Sequence, residues 1–405
     1  MVGSQPEFVC HPGLVDTPEK LQAVVAVLEK ATEIAIDTEF IRESTFYPVL
    51  EIIQVATSHE SWLIDYPALM DADKDPWDGF VGVLENPGIL KIMHASQGDQ
   101  ECLLVGLDTL AKPMVDTAVA AALLGLGDQL GLGAILKSVL DVKLKKGHAR
   151  THWGVRPLPD QLQEYAHLDV RYLVKCLDRM RKNLERQNRW QWALDLSAVW
   201  CNPETFEQDP EKISVQLARG ARMEDRGYRV VRELVLWRER RVRELNVPRR
   251  RVADDSTLID LAQASPKDVA HLKAFRGLSN REMNDRPGGI IEAVRAGLNP
   301  ENTRMMPPRK GREPASDREN SMIALVKCFL VLMAEKNRIA SRLLLGGDEI
   351  LDIVRARDDA VAVWVENGLL SPQSAELMGE PLKALVTGKT GLGIRQGALE
   401  VFECP

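Results

Sequence analysis

Residues 33–65 read EIAIDTEFIRESTFYPVLEIIQVATSHESWLID. Three apolar runs stand in this stretch, 33–40 (EIAIDTEF), 50–57 (LEIIQVAT) and 61–65 (SWLID), separated by short polar breaks. Strand-type runs joined this closely predict an antiparallel meander. Outward from it, 89–94 (ILKIMH) is a fourth strand followed by a helical pattern over 100–107, and 113–117 (PMVDT) is a short fifth. Before the meander, 21–30 has helical spacing and residues 1–20 read as a loose lead-in. From 118 to about 186 the period is helical, interrupted by a loop near 145–159. Strands first, then strand and helix, then helices predict a mixed α/β layer fold, a sheet flanked by helices.

After about residue 189 the composition shifts, and 190–405 read as all-helical. Prolines mark a linker near 202–210, and residues 299–314 (NPENTRMMPPRKGREP) hold four prolines in sixteen residues with no apolar period. The expected division is a lead-in over 1–20, a catalytic domain over 21–200, a linker over 201–215, a helical domain over 216–298, a linker over 299–316 and a second helical domain over 317–402. A length of 405 residues suits two to three domains, and 45 % apolar with 27 % charged residues excludes a disordered or collagen-like chain. The six cysteines, Cys10, Cys102, Cys176, Cys201, Cys328 and Cys404, form no CxxC pair, which predicts reduced thiols and no cysteine metal site. The first twenty residues lack a basic segment followed by an apolar one, and the apolar run at about 328–334 is far short of the ~20 residues that span a bilayer. A cytoplasmic protein with no membrane partner is expected. No GxxxxGK[ST] sequence marks a nucleotide-driven motor.

The net charge of −7 hides a local excess of the other sign: residues 219–251 contain twelve arginines and five acids, a net +7. Such a helix is either a solvated face with i,i+4 ion pairs or a surface that contacts phosphates. Three further elements could carry chemistry. Asp37-Thr38-Glu39 ends the first strand, and alternation points Asp37 and Glu39 to one side, where two carboxylates can grip a hard cation or merely face solvent. Asp99 opens a helix after HASQG, as a ligand or as a cap. Tyr165 and Asp169 (YAHLD) share a helix face at i,i+4, while His167 points elsewhere.

In this order, DxE on a strand, an acid opening a helix about 60 residues on, and YxxxD about 70 residues later resemble the DEDD exonuclease superfamily. Tyr165 gives the tyrosine-type subclass, whose sister has His there. The text around these residues, IAIDTEFIRESTFYPVLEIIQVA, KIMHASQGDQECL, PMVDTAVAAALLG and RTHWGVRPLPDQLQEYAHLDVRYL, is similar to the ribonuclease D family over about residues 15–190. VVRELVLWRERRVRELNVPRRRVADDSTLIDLAQASPKDVAHLKAFRGLS resembles the HRDC domain, and residues 317–402 would be a second, degenerate copy. His152 stands where many family members have an acid.

The resemblance implies a ribonuclease H-like exonuclease domain followed by two all-α HRDC-type domains. It implies a 3′-5′ exoribonuclease that trims tRNA precursors and other structured RNAs by two-metal hydrolysis and releases 5′-mononucleotides. Asp37, Glu39, Asp99 and Asp169 would hold two divalent cations, Mg²⁺ or Mn²⁺, as four clustered acids need counter-charge. Asp37 would bridge both ions, Glu39 and Asp169 would complete the nucleophile side, and Asp99 would serve the leaving group. Tyr165 would orient the water, since a phenol is a poor base at neutral pH. Phe40 would stack on the terminal base or pack into the core, and His94, Arg150, Trp153, Arg249 and Arg250 are the other expected RNA contacts. A monomer is expected. The rival readings are a Werner-type DNA exonuclease and a catalytically silent RNA-binding scaffold.

Overall fold

The computed structural model describes residues 7–71, 76–144, 152–272, 275, 278, 287–307 and 313–404. The meander forms as its sequence predicts: β2 (Glu33–Ile41), β3 (Val49–Ala56) and β4 (Glu60–Asp65) pair antiparallel in succession. β5 (Leu90–Met93) joins β2 in parallel and β6 (Met114–Asp116) joins β5, so the sheet runs β1-β4-β3-β2-β5-β6. The outermost strand β1 (Val9–Cys10) lies in what reads as a loose lead-in. It pairs parallel with β4 because the chain there has an edge to cover, which nothing local in its sequence shows.

Period-2 alternation divides β2 between two cores. Ile34 and Ile36 face a cluster that includes Ile53, Val55, Phe80, Cys102 and Leu103, closed by the helices Pro18–Leu28 and Gln97–Leu107. Thr17 caps the first of these helices and Pro18 opens it. Ala35 faces the opposite cluster with Val115, Val170, Leu173 and Leu177, supplied by the helices Asp160–Arg171 and Leu173–Arg186. At about 1.5–3 kcal/mol per fully buried Leu or Ile, these two faces supply most of the sheet's stability.

Beyond the sheet, two helical units follow. The first comprises the helices Pro210–Gly220, Asp225–Leu245, Asp255–Ala264 and Pro287–Leu298, starts ahead of the expected residue 216, and has its own apolar cluster around Tyr228, Leu234 and Ile290. The second runs from the helix Asp317–Asn337, opened by a Ser316–Glu319 capping box, through the helix Pro372–Val386. Its Phe329, Met333 and Trp364 are contiguous with the catalytic sheet's second core.

The expectation of helices alone after residue 189 fails at the end of this unit. β7 (Thr390–Arg395) and β8 (Ala398–Glu403) form a hairpin. Gln396-Gly397 turns it with φ of 50° and 81°, the two positive angles a tight hairpin turn requires. A run with glycines at 391 and 393 gives little strand signal on its own. Among the described residues no helix is long and apolar enough to cross a membrane.

A joint at Arg189 helps tie the second unit to the catalytic domain. Arg189 is buried and donates to three main-chain oxygens: Leu123 at 2.7 Å, Asn337 at 2.7 Å and Arg338 at 3.1 Å. Beside it Gly125, at φ +65°, lies so close to the Arg338 backbone that a Cβ would stand 2.5 Å from it.

Candidate active site

β5 pairs with β2 only through Ala35, so the far half of β2 has a strand on one side alone. There the Asp99 carboxylate takes the place of a strand. Its Oδ1 accepts the Thr38 N–H at 3.0 Å and the Thr38 hydroxyl at 2.6 Å. A register shift in the β2–β3 ladder falls between Glu39 and Phe40, where a bulge re-aims the side chains at the strand's end.

Asp37 and Glu39 project from the face opposite Thr38, toward the helix Asp160–Arg171. That helix is anchored by Leu162 and Ala166 against Ile52 and Leu63. The anchoring puts Asp169 beside the two strand acids: oxygens of Asp37, Glu39 and Asp169 lie within 4.8 Å of one another. No Lys, Arg or His among the described residues forms an ion pair with any of the three. Asp99 reaches the cluster from the other side of β2, outside that radius.

Burial and mutual repulsion push all four carboxyls up. Asp37 is raised well above the ordinary range, by burial first and then by Asp99, Asp169 and Glu39. Glu39 rises to about 8 through burial and the charges of Asp169 and Asp99. Burial takes Asp99 to about 7 against the opposing Thr38 hydrogen bonds, and Asp169 to about 7 against the Tyr165 hydroxyl that donates to it. The Tyr165 phenol is itself raised, by burial and then by Asp169, Glu39 and Asp37. A pocket of oxygen donors that is costly to ionise alone fits hard divalent cations rather than zinc.

The expected RNA contacts separate. Phe40 is half-buried, packed on the first core with its ring edge 3.3 Å from where a Cβ on Gly98 would stand. His94 sits at the end of β5 with Nδ1 2.9 Å from Thr117 Oγ1, its pKa lowered by burial against the pull of Asp116. Trp153 is only 3 % exposed and lies 6.1 Å from the Tyr165 ring, so it backs the tyrosine rather than facing solvent. Arg150 lies outside the described residues, and His152 is exposed beside Gly154. Arg250 is exposed.

Arg249 is held by both oxygens of Glu239, each at 2.6 Å. Neither reading of the arginine stretch anticipates this pairing. Arg238 and Glu239 are each 1 % exposed, and Arg238 also meets Asp255 at 2.6 Å. Arg232 pairs with Glu211 and Glu233. Burial pushes Glu239 up, but Arg249, Arg238 and Arg243 more than offset it and leave the carboxyl below its ordinary value. Phe46, from the loop after β2, lies between Arg243 and Arg249 at 5.1 and 5.6 Å, and Asn246 Oδ1 accepts the Phe46 and Tyr47 N–H groups.

Two positioning residues escaped the sequence reading. Thr38 sits inside the DxE motif yet orients Asp99. Asp116 accepts from Ala95 N, Ser96 N, Ser96 Oγ and Ala118 N, which holds the left-handed turn at Ala95 and aims the Asp99 helix. Its signal was an Asp at a strand end just before a helix, the N-cap pattern.

Residues 12–185, which carry the strand acids, the helix acid and the tyrosine-bearing helix, match the model of a family described as 3′-5′ exonuclease. Residues 228–294 match the HRDC domain. Ribonuclease D of Zymomonas mobilis is 32 % identical over 393 residues, covering 96 % of this chain and 97 % of the relative. That of Gluconacetobacter diazotrophicus is 32 % identical over 387 residues, 95 % of each. The crystal structure of RNase D from Escherichia coli superposes with a TM-score of 0.77 at 24 % identity, covering 93 % of this chain and 99 % of that one. The chain belongs to the ribonuclease D family of 3′-5′ exoribonucleases, hydrolases that use divalent metal.

Proposed function

We propose that this protein removes nucleotides one at a time from the 3′ ends of tRNA precursors and other structured RNAs, releasing 5′-mononucleotides, with two Mg²⁺ or Mn²⁺ ions. The observation that carries this reading is the trio Asp37, Glu39 and Asp169, whose oxygens lie within 4.8 Å of one another with no ion pair to a Lys, Arg or His among the described residues. Asp37 would hold both ions, Glu39 and Asp169 the one on the water side, and Asp99 the other through the oxygen that Thr38 leaves free or through a water. When bound, such ions lower the pKa of water and stabilise the leaving oxygen.

The chain's own groups do the rest. The raised phenol of Tyr165 stays protonated at neutral pH, so it orients the attacking water by a hydrogen bond instead of taking its proton. Phe40, half-exposed beside Gly98, offers a flat apolar face to the terminal base. Structured RNA as substrate accords with the Escherichia coli relative, an exoribonuclease involved in structured RNA processing. The chain is read as a cytoplasmic monomer with a catalytic unit to about residue 200, an HRDC unit ending near 298 and a degenerate second copy.

A time course on a 5′-labelled RNA hairpin with a single-stranded 3′ tail tests this, beside a DNA hairpin of the same sequence, a chelator lane and Asp37→Ala. The reading expects an RNA ladder that shortens from the 3′ end and is lost with chelator and in the variant. RNA that is bound but never cut would sink it in favour of a scaffold, and equal cleavage of DNA would sink the assignment to RNA.

A further inference from the structure

Five HRDC arginines, Arg232, Arg238, Arg241, Arg243 and Arg249, are tied to acids, and a separate set of cations lies on the catalytic domain. A groove of about 530 Å³ runs between the helices Leu132–Leu140 and Leu173–Arg186 and the start of the second helical unit. Arg179, Lys182, Arg186 and Arg338 line it, and no acidic residue does. None of the four forms an ion pair among the described residues. Arg186 donates only to neutral oxygens, Lys182 O and Asn183 Oδ1.

Arg179, Lys182 and Arg186 stand at i, i+3 and i+7, one face of the helix, and spread their charge over ~10 Å of its length. The fourth cation comes from across the domain joint. Arg338 has its backbone fixed in the left-handed conformation, gripped by Arg189 and pressed on Gly125, while its side chain stays exposed toward the groove. The second helical unit thus adds one cation, Arg338, to a groove otherwise lined by the catalytic domain.

We propose that this groove binds the phosphate backbone of the body of the RNA substrate, away from the 3′ end being cut. Cations strung along a groove match a polyanion better than a single small anion, and Arg presents its fork to phosphate oxygens. The groove lies on the far half of the helix that follows Asp169, where Arg181 meets Glu33 at the start of β2, so it stands apart from the carboxylates at the strand's other end and would take the body of an RNA rather than its 3′ terminus. This inference rests on RNA being the substrate.

The experiment compares full-length wild type with the Arg179→Glu/Arg186→Glu double variant and, separately, Arg338→Asn, which keeps a residue tolerant of the left-handed backbone. For each, kcat/KM is measured on a tailed RNA hairpin and on a single-stranded pentanucleotide. Hairpin affinity is measured in chelator at several salt concentrations. The ratio of hairpin to pentanucleotide kcat/KM should fall about tenfold in the double variant and less in Arg338→Asn, and the slope of log Kd against log salt should shrink by roughly 2 for two lost phosphate contacts. An unchanged ratio and slope, with wild-type cleavage intact, would overturn the groove and leave the exonuclease standing. An equal fall on both substrates would overturn it too, since the cations would then act on the 3′ end or the fold. A wild type that cuts no RNA would remove both.

Discussion

Two of the molecule's concentrations of charge are treated in opposite ways. On the HRDC helix Asp225–Leu245, Arg238 and Glu239 are fully buried, and Arg243 and Arg249 close the network around Glu239. At the end of β2, Asp37, Glu39 and Asp169 face one another with no ion-paired cation among the described residues. The first cluster is satisfied and structural. The second is held at a cost to the fold, which is how groups poised for chemistry are commonly kept, and it is the proposed catalytic site. Abundance of charge alone does not tell the two apart; whether a charge has a partner does.

The contrast can be broken in order of expected effect. Asp37→Ala should lower RNA cleavage by about 10⁴-fold or more, as it removes a ligand from both proposed ions, and a labelled-RNA time course reads this directly. Glu239→Gln should leave buried guanidinium charge uncompensated and cost about 3–5 kcal/mol in urea denaturation. A change near zero would show that the arginine network is not what holds the HRDC unit. Tyr165→Phe should reduce kcat about 100-fold while RNA and metal affinities stay within about twofold; a wild-type rate would remove the water-orienting role.

The smallest effect is on stability and has a definite sign. Glu39 titrates near 8 and Asp99 and Asp169 near 7 in the fold, above ordinary carboxylates. The folded state therefore holds these protons more tightly than the unfolded chain, and stability present below about pH 4 is lost as pH rises toward 7–8. The metal-free protein should melt about 5 °C lower at pH 8 than at pH 5 from this source, and Mg²⁺ should restore the difference at pH 8 while doing little at pH 5. Asp37→Asn, which deletes one of the repelling charges, should raise the metal-free midpoint at pH 8. A lower midpoint would mean that the cluster is not strained.

The sheet and the residues that gather at its end were legible because each rests on a local period. Alternation on β2 put Asp37 and Glu39 on one side, and i,i+4 spacing put Tyr165 with Asp169. What stayed hidden depends on distant partners. Thr38 gains its role only because β5 stops short and Asp99 arrives from a helix. Glu239 and Arg249 meet across a turn that no spacing rule describes. Trp153 reads as a contact and is a backing residue because the tyrosine helix covers it. The β1 pairing and the Gly-rich β7–β8 hairpin are likewise set by what the strands meet rather than by their own composition.

Arg189 fixes the second helical unit by reading main-chain oxygens at 123, 337 and 338. A carbonyl is the same group whatever side chain sits beside it. At these three contacts the joint makes no demand on the side chains that carry the oxygens, while the apolar packing of Phe329 and Met333 and the Arg342–Asp128 pair do depend on residue type. Substitutions outside that shared core can therefore accumulate through this last unit without loosening the Arg189 grip. A module that hardly resembles its neighbour by sequence can still be delivered to the same place in the molecule.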